Sequence, residues 1–246
     1  MENNITLIKK VIRILGLTLA ALFLLLAVCA AVYIILKPIH SRRTAWIKTG
    51  LDKKGQMIWQ EPNQNCADIA WNRDTNNDGK INEAQAVDYA RSMLNIPYDP
   101  LMGRYNDFFG KAGFVVCIDV PLRSYLRAGI SMPAMLKTCS KEHPEWFKVG
   151  ANNSPNNSFF YRRVRNYYDL FEHHPNLETD QDPKPGDWMF FGRHHIGLVI
   201  SVDKDGNYKA IEANPFKGRV VVSDRNYIEQ TWGAPAFFGR IKYRSN

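Results

Sequence analysis

Downstream of Pro183-Lys184-Pro185-Gly186 the chain reads as short apolar runs separated by turn residues, and this series constrains the fold more than any other feature. Residues 187–191, 194–202, 208–214, 219–223 and 236–243 are predicted strands. Upstream, helical patterns cover residues 83–95, 121–128, 133–140 and 164–173. Helices first and strands afterwards indicate an α+β domain, its N-terminal helices packed on a mainly antiparallel sheet of about five strands. No internal repeat or low-complexity tract interrupts the chain.

With 246 residues and 45% hydrophobic content, the chain can bury a core for one globular domain and still carry an appendage. The appendage is residues 14–36, an uninterrupted apolar run that as a helix is about 34 Å long, enough to cross a bilayer. A cleaved signal peptide has a shorter apolar core; here Val32-Tyr33-Ile34-Ile35-Leu36 extends past any cleavage site, so residues 14–36 read as a transmembrane helix. Leu26-Ala27-Val28-Cys29 resembles a lipidation box, but Val28 stands where a smaller residue is expected. Residues 1–13 form a short tail and 37–63 a polar juxtamembrane linker. Lys9, Lys10 and Arg13 on one side are matched by Lys37, Arg42, Arg43 and Lys48 on the other, which leaves orientation nearly unmarked by charge. The position of a lone span near the N-terminus favours a bacterial inner-membrane, single-pass protein with its domain on the periplasmic or extracellular side.

The formal net charge of +8 suits an acidic partner, such as anionic lipid or a cell-wall polymer. No glycine-rich phosphate loop, zinc-finger spacing or basic-aromatic motif is present, so nucleic acid is not an expected partner. Arg162, Arg163 and Arg165 could hold a carboxylate or phosphate, or line a solvated face.

Residues 74–85, within an EF-hand-like unit over 64–95, match a calcium loop with Asp74, Asn76, Asp78 and the backbone carbonyl of Lys80 as ligands and Gly79 at the sharp turn. The twelfth position is Gln85, which cannot supply a bidentate carboxylate, so weak Ca2+ binding is expected. The competing reading is a metal-free Asx-rich turn that caps the following helix. Of the four cysteines, Cys29 lies in the apolar run, and Cys66 and Cys139 are either a disulfide or two separate thiols.

Cys117 follows Phe114-Val115-Val116 and precedes a helix, where backbone N–H groups and the helix dipole would stabilise a thiolate. The same run could be a core strand. Its partners decide between these readings. Asp203-Lys204-Asp205-Gly206 predicts a hairpin; symmetric pairing sets Val202 opposite Asn207, Gly197 opposite Glu212 and His195 opposite Asn214. His195, Gly197, Glu212 and Asn214 then share one face, with Ile196, Leu198, Ile211 and Ala213 on the other and His194 pointing away from His195. A histidine beside a carboxylate and a carboxamide makes an oriented general base, and Glu212 on an apolar strand requires a partner. Asp119 is expected to cap the helix or hold a loop.

In this order, Cys117 at a helix start, Pro185-Gly186-Asp187-Trp188-Met189-Phe190-Phe191, His195-Ile196-Gly197-Leu198-Val199 and Ile211-Glu212-Ala213-Asn214 resemble the papain-like cell-wall hydrolases of the NlpC type and the CHAP amidases. The resemblance covers residues 94–243. It implies a papain-like domain over 96–246 with Cys117 as nucleophile, His195 as base, and Glu212 or Asn214 orienting the ring. It also implies a membrane-anchored cysteine peptidase or amidase acting on peptidoglycan peptide, with no cofactor for catalysis. Alternatives are a catalytically silent binding or scaffold protein and a Cys-His acyltransferase. The chain departs from the family in Val116-Cys117-Ile118-Asp119, where Asp-Cys-Ser-Gly is common, and in a long insertion over 133–182 that could build a substrate cleft.

Overall fold

The computed structural model describes residues 18, 19, 21, 22, 24–26, 28, 64–101, 114–148, 150 and 152–244. Two compact units are present, Met1–Ala45 and Trp46–Asn246. In the first, all described positions are helical, and Leu19, Leu22, Leu24, Leu25, Leu26 and Val28 expose their side chains. No helix among the described residues is long and apolar enough to cross a membrane. The rest of the expected span 14–36, the tail 1–13 and the linker 37–63 lie outside the described residues.

The second unit is α+β. In chain order it contains α1 (Asn82–Ser92), α2 (Asp119–Arg127), α3 (Met132–Glu142), α4 (Val164–His173), β1 (Leu177–Asp180), β2 (Trp188–Phe191), β3 (His195–Val202), β4 (Tyr208–Asn214), β5 (Arg219–Asp224), α5 (Arg225–Trp232) and β6 (Phe237–Ile241). The sheet has six strands in the order β1-β6-β2-β3-β4-β5, and every neighbouring pair is antiparallel. The five-strand expectation is corrected by β1, an edge strand in which only Leu177 is buried and which therefore lacks a strand's apolar signature. A helix, α5, also replaces the loop expected between the last two strands. Asp224 caps it by accepting the Tyr227 N–H at 2.9 Å, and Gly233 ends it.

Both faces of the sheet are covered, which explains why its strands read as nearly continuous apolar runs. On one face Trp188 packs among Tyr125 of α2 and Tyr167 and Phe171 of α4, at ring separations of 5.9, 5.7 and 5.4 Å. On the other, Met189, Phe191, Val199, Ala210 and Phe238 pack with Ile228 of α5. Helix α2 ends in two return hydrogen bonds, Gly129 N to Leu126 O and Ile130 N to Tyr125 O, with Gly129 at a φ of +87°. A side chain at Gly129 would be strained in that conformation and would meet Thr75 Cγ2 at 3.3 Å, so the turn also seats the 74–85 loop.

Cys66 and Cys139 form a disulfide, tying the turn Cys66–Asp68 to α3. Closing a loop across 73 residues reduces the freedom of the unfolded chain by about 4 kcal/mol.

The β3–β4 hairpin corrects the predicted pairing at its turn, and its ladder runs from Val202 to Leu198. Val202 faces Tyr208, not Asn207, because Asp203 and Asn207 close a longer turn through Asp203 N to Asn207 O at 2.9 Å. A bulge between Val199 and Ser201 absorbs the extra residue, so Val199 faces Ala210 and Leu198 faces Ile211. That restored register is the one the sequence reading needs beyond the bulge.

Candidate active site

Cys117 lies at the entrance to α2 and is buried, with 8% of its surface exposed. The strand-like segment before it is held by residues 97–99: Val115 N donates to Pro97 O at 3.1 Å and Asp99 N to Val115 O at 2.9 Å. That same segment bonds to the other side of the site, through Tyr98 N to Gly218 O at 2.8 Å and Val220 N to Ile96 O at 2.9 Å. Residues 96–99 thus bridge the nucleophile segment and β5.

His195 opens β3, with its imidazole beside the Cys117 thiol and hydrogen-bonded through Nε2 to Glu212 Oε2 at 2.5 Å. Both groups are buried, the carboxylate completely. Burial presses the imidazole pKa down, but the neighbouring Cys117 and Glu212 outweigh it and hold the ring at about 9. Burial likewise pushes Glu212 up, and its contacts with His195, Ser223 and Asn214 outweigh that, leaving the carboxyl below its ordinary value. At neutral pH the pair is therefore an imidazolium against a carboxylate.

Glu212 accepts three further hydrogen bonds. Ser223 Oγ donates at 2.7 Å and Asn214 Nδ2 at 3.0 Å, both to Oε1, and Trp232 Nε1 donates at 3.0 Å to Oε2. A completely buried carboxylate needs such a shell of donors. Of the two candidate orienting residues, Glu212 touches the histidine and Asn214 touches Glu212. Asn214 also bonds Tyr227 OH at 3.2 Å and, through Oδ1, accepts the N–H groups of Phe216 and Lys217 at 2.8 and 3.0 Å. It fixes the β4–β5 turn beside the site.

Trp232, from α5, stacks on the His195 ring at 3.8 Å and 16°. One side chain thus restrains both the imidazole and its carboxylate. Trp232 and Tyr227 escaped sequence reasoning because α5 did; Asp224 as an N-cap and Gly233 as a stop were the signals for it. Ser223 lies on the predicted strand β5, and only the fold shows that it faces Glu212. Gly197 leaves the room expected of it: an added Cβ would lie 3.1 Å from Met189 Cε and 3.2 Å from Ile211 O. His194 is exposed and outside the site.

Of the two roles expected of Asp119 it takes one: α2 has no side-chain cap, and Asp119 holds the loop before it. Its Oδ2 accepts the Val116 N–H at 2.9 Å, while its own N–H donates to Val116 O at 3.0 Å, a reciprocal box around Cys117 and Ile118. It also receives Arg162, Nε to Oδ1 at 3.1 Å and Nη2 to Oδ2 at 2.5 Å. Burial pushes Asp119 up, but Arg162, Arg123 and the Val116 N–H outweigh it and hold the carboxyl below the usual range. The arginine cluster therefore divides: Arg162 is buried beside the nucleophile segment, whereas Arg163 and Arg165 reach the carbonyl of Asn152.

The 74–85 loop is closed by its own groups. Asp74 accepts the Asp78 and Gly79 N–H groups at 3.2 and 2.9 Å, and Asp78 Oδ1 accepts the Lys80 N–H at 3.0 Å. Asn76 Nδ2 donates to Asp78 at 3.3 Å and to Gln85 Oε1 at 3.0 Å, and Gln85 Nε2 also donates to Asp78. A cation at the centre would require both amides to turn their oxygens inward, with Asp74 and Asp78 as the only carboxylates at the ligand positions.

Among the described residues one group has clustered metal-ligand atoms, Cys66, Cys139 and His174. The sulfurs are bonded to each other. His174 pairs through Nε2 with Cys66 O at 2.7 Å and through Nδ1 with the Asn176 N–H at 3.1 Å. This cluster is a structural joint. No protein-family model matches the chain, and no curated protein sequence is significantly similar to it.

Proposed function

We propose that the chain is a cysteine hydrolase, an amidase or endopeptidase of papain-like architecture akin to the NlpC-type and CHAP enzymes, with peptidoglycan peptide as its substrate class. The observation that carries the reading is the line Cys117–His195–Glu212, a thiol beside an imidazole that a buried carboxylate holds at 2.5 Å. The Cys66–Cys139 disulfide adds support for an oxidising compartment, and so for an exported domain tethered by the apolar segment 14–36.

In this mechanism the Cys117 proton passes to His195, which becomes the imidazolium, and the thiolate sulfur attacks the amide carbonyl carbon, forming a C–S bond while the carbonyl electron pair moves to oxygen. The Cys117 N–H, in the first turn leading into α2, serves as one donor to that oxygen. As the C–N bond breaks, the His195 imidazolium gives its proton to the departing amine. The neutral ring then takes a proton from water, whose oxygen attacks the thioester; the C–S bond breaks and the acid product leaves. Glu212 keeps the ring oriented and favours its charged form.

Purified protein is expected to cleave peptidoglycan stem-peptide fragments, and Cys117→Ala to abolish cleavage. Equal cleavage by both proteins, or none by either, would overturn the proposal.

A further inference from the structure

Resting on Cys117 as nucleophile, we infer that Asp119 and Arg162 are a positioning pair for it: the fork between them locks the Val116–Asp119 turn that aims the sulfur at His195. The turn is too short to fix itself. Its reciprocal bonds, Val116 N to Asp119 Oδ2 and Asp119 N to Val116 O, flank Cys117 on both sides, so a rotation of the Asp119 carboxylate frees one of them. Arg162 prevents that rotation by holding both carboxylate oxygens, in a pair with 7% and 4% side-chain exposure.

Arg162 is itself rigidly placed. It ends the short turn Ser158–Arg162, which is fastened to α4 by Asn166 Nδ2 to Phe160 O at 2.7 Å and Tyr167 OH to Tyr161 O at 2.9 Å. The long insertion is thereby joined to the nucleophile across 43 residues of sequence. Arg123, one turn along α2, is 3.9 Å from the same carboxylate and adds charge without replacing the fork. Among the described residues, charged and titratable groups around Cys117 include His195 from β3, Asp119 and Arg123 from α2, Arg162 from the insertion, and Tyr98 and Asp99 from the preceding segment.

The test is alkylation of Cys117 by iodoacetamide in the full chain, followed from pH 4 to 10 on the Cys117 peptide by mass spectrometry, so that Cys29 does not contribute. The variants are Asp119→Asn, Arg162→Gln, Arg162→Lys and His195→Ala, each checked for an intact Cys66–Cys139 disulfide. Asp119→Asn and Arg162→Gln leave opposite charges beside the sulfur, yet both are expected to slow alkylation at pH 7 about tenfold, because each frees the turn. Arg162→Lys, which keeps the charge and loses the fork, is expected to fall between wild type and Arg162→Gln. If the single variants fail to fold, the double variant Asp119→Asn/Arg162→Gln, which leaves neither charge buried alone, carries the same expectation.

Folded Asp119→Asn and Arg162→Gln proteins with the wild-type rate, alongside a slowed His195→Ala, would overturn the positioning role and leave the dyad standing. An unchanged His195→Ala would overturn the dyad and this inference with it.

Discussion

Two carboxylate clusters, around Glu212 and around Asp74 and Asp78, are each wrapped in hydrogen-bond donors, yet their surroundings give them opposite meanings. Glu212 is completely buried and its donors include an imidazole, an indole and a hydroxyl drawn from three other elements. Asp74 and Asp78 lie towards the surface and take their donors from within twelve residues of chain, mostly from the backbone. In low dielectric, a charge that neighbours over-determine changes the protonation of its partner. At the surface a comparable set of hydrogen bonds shapes a turn.

The sharpest way to break this contrast is to remove the buried charge alone. Glu212→Gln is expected to lower kcat/KM by about 100-fold or more and to destabilise the fold by about 2–4 kcal/mol, because four donors lose their charged acceptor. Kinetics on stem-peptide fragments and urea unfolding check both halves.

A pH series sharpens the contrast next. Since His195 is raised from 6.5 to about 9 on folding, its stabilising contribution is complete below pH 6.5 and is lost as pH rises through about 9. It is expected to amount to about 3 kcal/mol. Activity is expected to fall on the same alkaline limb, and His195→Gln to abolish the stability change. Glu212 and Asp119, both depressed, act oppositely: their contribution holds above the ordinary carboxylate range and is lost as pH falls through their lowered values.

The exposed cluster should respond weakly. Asp74→Ala removes the acceptor for two backbone N–H groups and is expected to lower stability by about 1 kcal/mol in urea unfolding, with activity within twofold of wild type. The smallest effect tests the loop as a cation site. Gln85→Glu supplies a third carboxylate, and millimolar Ca2+ is expected to raise the Tm of that variant by a few degrees and of wild type by about one degree or less.

The sequence made the hairpin face legible because strand alternation is local: Ile196, Leu198, Ile211 and Ala213 join the main core, and His195 meets Glu212. The pairing near the turn was off by one, and only the bulge between Val199 and Ser201 brought the register back; a bulge leaves no mark in a simple apolar pattern. Trp232 was hidden because α5 buries Ile228 alone and so lacks an apolar stripe. Arg162 was hidden by distance. Beside Arg163 and Arg165 it read as part of a basic surface, and only the folded chain brings it to Asp119, 43 residues back.

The most direct test is to look for the acyl enzyme. Reaction of the full chain with a stem-peptide substrate, quenched in acid within milliseconds to seconds, should show the acyl fragment as added mass on the Cys117 peptide of wild type. The adduct should be absent from His195→Ala and Cys117→Ala. Turnover that proceeds without the adduct and survives Cys117→Ala would contradict a Cys117–His195–Glu212 acyl-transfer site.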